Sequence, residues 1–526
     1  MSATARSASK IMLAVMGSRI LGLVREMVLN SIFGAGKELD AFIAAFRIPN
    51  LLRDLFAEGA LSTAFVTTFS KKLAKEDRPA AFRLANLVMS SMCVVMCVIV
   101  LLGVIGSPWL VPLIAPGFES IAGKTALTID LTRILFPFIL VVSLAAVYMG
   151  LLNSLGSFGL PASASTAFNA ASILSGLAIG YFFDPHFGPR AIYGFAIGAV
   201  FGGLVQLLIQ VPRAVQFGYR FAWKLDWRDK GLRQVFFLTL PAIMGSAAVQ
   251  INVLVNTWFA SYLGDGAVTW LNNAFRLMQL PIGMFGVAIA AVTLPAVSQS
   301  AAAANFDAFR SKVMEGLKLA LFLTIPASIG LAMLASPIIA LIYQRGAFTA
   351  YDTSQTALAL QAYTIGLASY ACLKVIAPVF YALDLPGIPV KISIVGIILN
   401  VALNYFFIRV LDLGILGLPL STSLVALLNF LQLLIALRLR LGRLGLSRFV
   451  PFLLKLALAA LIMAASVYAL DRALAPHFSY NTVGRLLFLS VTIAVGLALF
   501  LAVAAVLRMK EISMMLSIVK RKQAAP

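Results

Sequence analysis

Fourteen stretches of this chain, each about 20 residues or longer and dominated by apolar side chains, follow one another with only short polar breaks. A bilayer core takes about 20 such residues per helical crossing, and a helix satisfies every backbone N–H and C=O within the segment itself. The expected fold class is therefore an all-α polytopic membrane protein with about 14 transmembrane helices. The runs fall near 8–34, 38–70, 80–106, 126–152, 160–183, 190–212, 231–262, 267–298, 308–335, 353–383, 389–409, 414–437, 449–471 and 483–507. Of the 526 residues, 61% are hydrophobic and 12% charged, against about half and a quarter in soluble domains. A soluble multidomain enzyme is excluded.

Lys and Arg together number 41 and Asp and Glu 20, a net charge of +21. In a soluble chain that excess would point to nucleic acid; in a polytopic one it reads first as topology, because basic residues accumulate in cytoplasmic loops. With the N-terminus inside, 25 basic residues lie in inner segments and seven in outer ones: Lys37, Lys124, Arg190, Arg345, Arg409, Arg472 and Arg485. An even number of spans with both termini cytoplasmic follows. No nucleic acid or nucleotide partner is expected. The segment 117–125, GFESIAGKT, approaches a phosphate-cradling loop, but its glycines are six apart where the motif needs five and no strand precedes it. Three cysteines cannot build a disulfide framework, and Cys93 and Cys97 sit four apart in an apolar run, as packing residues on one helix face do. His186 and His477 lie in short segments far from any cysteine, so no metal site or cofactor is expected.

An internal repeat runs at an offset of 229. Ala45, Phe46, Arg47 and Phe56 recur as Ala274, Phe275, Arg276 and Phe285, and Ser107, Pro108 and Gly117 recur as Ser336, Pro337 and Gly346. Pro161 recurs one residue out of step as Pro389. Six spans return the chain to the same side, so the two copies are parallel. The expected organisation is a six-helix lobe over 1–228, a second over 229–448, and two further helices with a basic tail over 449–526.

Nine basic residues fall inside the spans, and four of these are in the first two. A charged side chain at mid-bilayer costs about 2.5 to 3.5 kcal/mol on insertion scales, so these groups have to face water or a partner. In the second span Asp40, Arg47 and Asp54 are spaced by seven, Glu58 follows four later, and Asn50 lies between. That spacing makes one stripe, expected to act as an ion-pair ladder with structural or gating roles, on a helix that Pro49 should bend. Arg19, Arg25, Arg53 and Arg276 are harder to neutralise: Glu26 and Asp54 are sequence neighbours of two of them, but adjacent helical residues point about 100° apart and do not face each other. Guanidinium groups gathered without matching carboxylates suit a ligand bearing phosphate or carboxylate oxygens. Lys374, in the tenth span, either joins them or reaches for a backbone carbonyl.

At the first two spans the sequence becomes specific, with SRILGLVRE (18–26), FGAGKELDAF (33–42) and RIPNLLRDLFAEGALSTAF (47–65). These blocks, with APGF (115–118), AFRLMQLPIG (274–283), the loop around Arg345 to Phe348 and KVIAPVFYAL (374–383), resemble the MurJ, or MviN-type, lipid II flippase family. The resemblance implies a fourteen-helix member of the multidrug/oligosaccharidyl-lipid/polysaccharide exporter superfamily in the bacterial cytoplasmic membrane. Such a protein moves undecaprenyl-diphosphate-linked peptidoglycan precursor from inner to outer leaflet, and is a transporter rather than an enzyme. It implies a central cationic cavity at which Arg19, Arg25, Arg53 and Arg276 bind the diphosphate and sugar head, with Asp40 an important acidic position and Lys374 a cationic one of lesser weight. The last two helices would flank a groove for the lipid tail. The chain departs from some relatives at Phe275, where they carry an acid, and at Asp54, where they carry a second basic residue.

The partners so implied are lipid II, membrane lipids and other cell-wall synthesis proteins. A coupling ion or the membrane potential would supply the drive, with no cation site assignable. Two rivals stand beside this reading. One is a flippase for another polyprenyl-linked glycan such as O-antigen; the other is a scaffold of cell-wall synthesis that transports nothing, in which the buried arginines would all be ion-paired.

Overall fold

A computed structural model describes residues 3–54, 61–442, 444, 449–478 and 482–515, and these are helical almost throughout. The helices are α1 (Ala3–Phe33), α2 (Lys37–Arg53), α3 (Leu61–Lys75), α4 (Arg78–Ile114), α5 (Lys124–Leu135), α6 (Pro137–Ser154), α7 (Gly159–Phe183), α8 (Ala191–Leu208), α9 (Val211–Gln216) and α10 (Lys230–Ala260). There follow α11 (Ala267–Pro281), α12 (Val287–Ala302), α13 (Phe306–Met333), α14 (Ala335–Ile342), α15 (Ala350–Ala382), α16 (Gly387–Tyr405), α17 (Gly417–Leu441), α18 (Phe449–Phe478) and α19 (Thr482–Val506).

Among the described residues, 11 helical segments are long and apolar enough to cross a membrane. Helices α1, α2 and α10 stand outside that set: α2 has 17 residues, and Arg19, Arg25 and Glu26 fall within α1. Several expected spans are jointed. Pro137 begins α6 where it cannot donate to a preceding turn, dividing the expected 126–152 helix from α5. A π-helical turn at Ile282–Gly286 separates α11 from α12, directly after Pro281. Pro49 is accommodated inside α2 without ending it.

Two compact units are present. The first comprises Met1–Thr269 with Gly346–Phe348; the second comprises Trp270–Arg345 and Thr349–Ala525. Each holds its own apolar core. In the first, Phe65, Phe69, Met92, Ile139 and Leu151 are buried together; in the second, Phe309, Phe322, Ile376, Phe380 and Phe500 are. Helices α7 and α8 meet backbone to backbone: a Cβ on Gly198 would stand 2.6 Å from the amide nitrogen of Gly176, and one on Gly194 would collide with Gly180. Small residues four apart are how lipid-embedded helices approach closely when no hydrophobic difference drives them together.

Gly117 and Gly346 make similar contacts. The Gly117 N–H donates to Ser261 Oγ at 3.0 Å, and a Cβ there would strike the Ser261 carbonyl. Gly346, at φ +58°, packs in the same way on the carbonyl of Ser31, while Ala347 N–H donates to that oxygen at 2.8 Å. The loop at Gly117 thus seats on the end of α10 and the loop at Gly346 on the last turn of α1.

Candidate functional site

The polar residues of α1 are presented by α7. Gly17 and Gly22 lie against Thr166 and Asn169, and Asn169 Nδ2 donates to the Ser18 carbonyl at 3.2 Å. On this helix the Arg25 guanidinium lies 5.4 Å over the Phe168 ring and 3.4 Å from Glu26 Oε1. Arg19 is exposed and makes no ion pair among the described residues.

At the far end of α2, Arg53 donates through Nε (3.3 Å) and Nη2 (3.0 Å) to Asp54 Oδ1, and Gln250 Nε2 of α10 donates to Asp54 Oδ2 at 3.0 Å. The expected Arg47–Asp54 rung does not form, because Asp54 is occupied by its neighbour and by Gln250. Adjacency did make a pair at both Arg25–Glu26 and Arg53–Asp54, contrary to the expectation from helical geometry. A guanidinium on three methylenes sweeps far enough to cross the 100° between successive Cβ directions. Both pairs remain partly open to solvent, with 23% of the Arg53 side chain and 16% of Arg25 accessible. Arg47 and Asn50 are half-buried on α2, and Asn50 accepts the Asp54 N–H through its carbonyl. Glu58 lies outside the described residues.

Asp40 stands apart from the arginines. Its side chain is fully enclosed, and each oxygen has two donors: Lys124 Nζ (2.8 Å) and Gly266 N–H (2.8 Å) on Oδ2, and Thr269 N–H (2.8 Å) and Thr269 Oγ (2.7 Å) on Oδ1. The carboxylate thus caps the first turn of α11, whose N–H groups have no partner within their own helix. Lys124, also without solvent access, reaches a second carboxylate at Asp265 Oδ1 (2.7 Å) and lies 4.4 Å from the Phe118 ring centroid. Beside it, Lys37 Nζ donates to the Ala122 carbonyl at 2.7 Å. Asp40 is therefore a junction of three helix starts, with no free lone pair for a ligand in this arrangement.

In the second unit, Arg276 is half-buried on α11 and Lys374 exposed on α15, near the close approach of Gly286 to Ala371. Trp270 Nε1 donates to Asp352 Oδ1 at 2.9 Å, joining the starts of α11 and α15, and Asp352 completes a capping box with Thr349. Sequence reasoning missed Lys124, Asp265, Gln250 and Phe168. From the sequence Lys124 counts as an outer-loop charge, and its one signal there is the lysine of GFESIAGKT.

A family model described as lipid II flippase MurJ matches residues 29–506. The chain is 35% identical over 506 residues to a probable lipid II flippase MurJ of Vibrio cholerae serotype O1, covering 94% of this chain and 95% of that one. To the lipid II flippase MurJ of Burkholderia cenocepacia it is 34% identical, with 86% and 87% covered. Among solved structures it is similar to a lipid II flippase MurJ in an inward closed conformation, with TM-score 0.77, 27% identity, and 94% and 98% of the two chains covered. An inward-facing multidrug transporter of the MATE family, 15% identical at TM-score 0.68 over 83% of this chain and 98% of that one, shares the fold.

Proposed function

This chain belongs to the MurJ lipid II flippase family, and from that premise we propose that it carries lipid II from the inner to the outer leaflet of the bacterial inner membrane. The observation that carries the reading is the family match across nearly the whole chain, and beside it Arg19 is exposed on α1 and in no ion pair among the described residues. It is a transporter, with no bond made or broken. We assign the diphosphate and sugar head to Arg19, Arg25, Arg53 and Arg276, with Lys374 a lesser contributor. Arg19 presents a guanidinium fork with no ion pair among the described residues, while Arg25 and Arg53 lie against the neighbouring carboxylates of Glu26 and Asp54, with which a diphosphate can compete for the planar fork. Asp40 acts through position, by holding the starts of α2, α5 and α11 together.

Fourteen crossings with both termini cytoplasmic, arranged as two duplicated six-helix lobes, give alternating access about a midplane site. The undecaprenyl tail stays in lipid. An apolar cavity of about 570 Å³ between α14 and α19, lined by Ile338, Leu341, Leu486, Leu489 and Ile493, offers such a chain a surface in the second unit. The test is conditional rescue of a bacterium depleted of its own lipid II flippase, scored with protection of the precursor from an externally added toxin that cleaves it. Rescue with toxin-accessible precursor supports the assignment. Failure of both, with the protein present in the membrane, removes it.

A further inference from the structure

Between α9 and α10 the chain runs without helix over residues 219–229 and lies along α4. It is fixed there by side chains of α4: Asn86 Oδ1 accepts from Tyr219 Oη (2.8 Å) and Ala222 N–H (3.1 Å), and Ser90 Oγ accepts from Lys224 N–H (3.1 Å). Tyr219 is buried, and that burial raises its phenol above the ordinary range, keeping it a donor. Successive side chains of an extended segment alternate between two faces. The N–H groups of Ala222 and Lys224 reach side chains four apart on α4, the spacing of an extended chain, and that alternation groups Phe221, Trp223 and Leu225 apart from Arg220, Ala222 and Lys224, all six exposed. The first two aromatics meet edge to face at 6.3 Å, as neighbours on one face do.

Four large apolar side chains here are exposed: Phe221 (47%), Trp223 (56%), Leu225 (43%) and Trp227 (46%). The nearby acids are committed to local turns, since Asp226 Oδ1 accepts the Arg228 N–H and Asp229 caps α10 through the Leu232 N–H. Arg220, Lys224 and Arg228 form no ion pair among the described residues. Exposed aromatics beside cations that form no ion pair among the described residues, on a segment pinned beside membrane-crossing helices, match the bilayer interface: indoles rest at headgroup depth and cations seek lipid phosphates.

We propose that residues 220–228 form a strap that binds anionic phospholipid headgroups of the cytoplasmic leaflet. Phe221, Trp223, Leu225 and Trp227 enter the interface, and Arg220, Lys224 and Arg228 hold the phosphates. The observation is independent of the arginines assigned to the transported head.

The full chain is reconstituted into nanodiscs of phosphatidylcholine alone or with phosphatidylglycerol, using acyl chains brominated near the headgroup. Subtracting the fluorescence of Trp223→Phe/Trp227→Phe isolates the two indoles. Bromolipid quenching is expected to rise with phosphatidylglycerol. In Arg220→Gln/Lys224→Gln/Arg228→Gln, or at high salt, it should return to the phosphatidylcholine level, with native mass spectrometry showing roughly a tenfold or greater loss of retained phosphatidylglycerol. Indoles equally open to aqueous acrylamide in both nanodiscs overturn the proposal. So do indoles already shielded in detergent, which would place a protein surface over them. Size-exclusion profiles of both variants separate lost lipid binding from lost folding, and an unfolded triple variant is replaced by Lys224→Gln alone under the same readout.

Discussion

The Lys124 ammonium lies 2.8 Å from Asp40 Oδ2, with neither side chain reached by solvent. Removing one member of a buried pair leaves a bare charge, at a cost of about 3–5 kcal/mol. Lys124→Met is expected to lower the unfolding temperature of the purified protein clearly, and Asp40→Asn/Lys124→Met to recover part of that loss. Asp265, at 47% exposure, is open to water when the lysine is lost, so the cost falls on the enclosed Asp40. Single and double variants that add within about 0.5 kcal/mol would show that the pair is not coupled.

Arg19 is the cleanest test of substrate recognition, because replacing it strands no carboxylate. Arg19→Ala is expected to insert normally and lose rescue of a flippase-depleted strain, as are Arg25→Ala, Arg53→Ala and Arg276→Ala. Loss of a charge-assisted contact is worth about 1.5–3 kcal/mol, or roughly ten- to a hundredfold in affinity. Lys replacements keep the charge without the planar fork and should rescue only in part. Wild-type growth of all four Ala variants would falsify the binding assignment.

A polyanionic head moving outward across an inside-negative membrane gains about 2.3 kcal/mol per charge per 100 mV. We expect flipping in oriented vesicles to accelerate and its end point to shift outward when that potential is imposed. Rates and distributions indifferent to its sign would exclude the potential as a drive.

Gly198→Leu is expected to force α7 and α8 apart, since even a Cβ would stand 2.6 Å from a backbone nitrogen of α7. The variant should express poorly or unfold at a lower temperature, by the overpacking cost of about 1–3 kcal/mol or more. Gly159→Ala, with nothing within 4 Å of its Cβ, serves as the control and should match the parent. Equal stability of the two variants would show that the close approach contributes little.

Apolar runs and the family-specific blocks of the first two spans were legible in the sequence, because each depends on neighbours or on position along the chain. Hydropathy and helical period act between residues a few places apart, which is why the helical class and most element positions could be read directly. Which acid each cation meets was decided only in three dimensions. Arg53 turned back onto Asp54 although their helical directions diverge, because a long side chain can bend where a Cβ vector cannot. Lys124, read as a loop charge, was drawn into the interior by Asp40, 84 residues before it, and by Asp265, 141 after it. No periodicity links positions so distant; a lysine can be buried there because the folded chain supplies two carboxylates and an aromatic face at the point where its own solvation is lost.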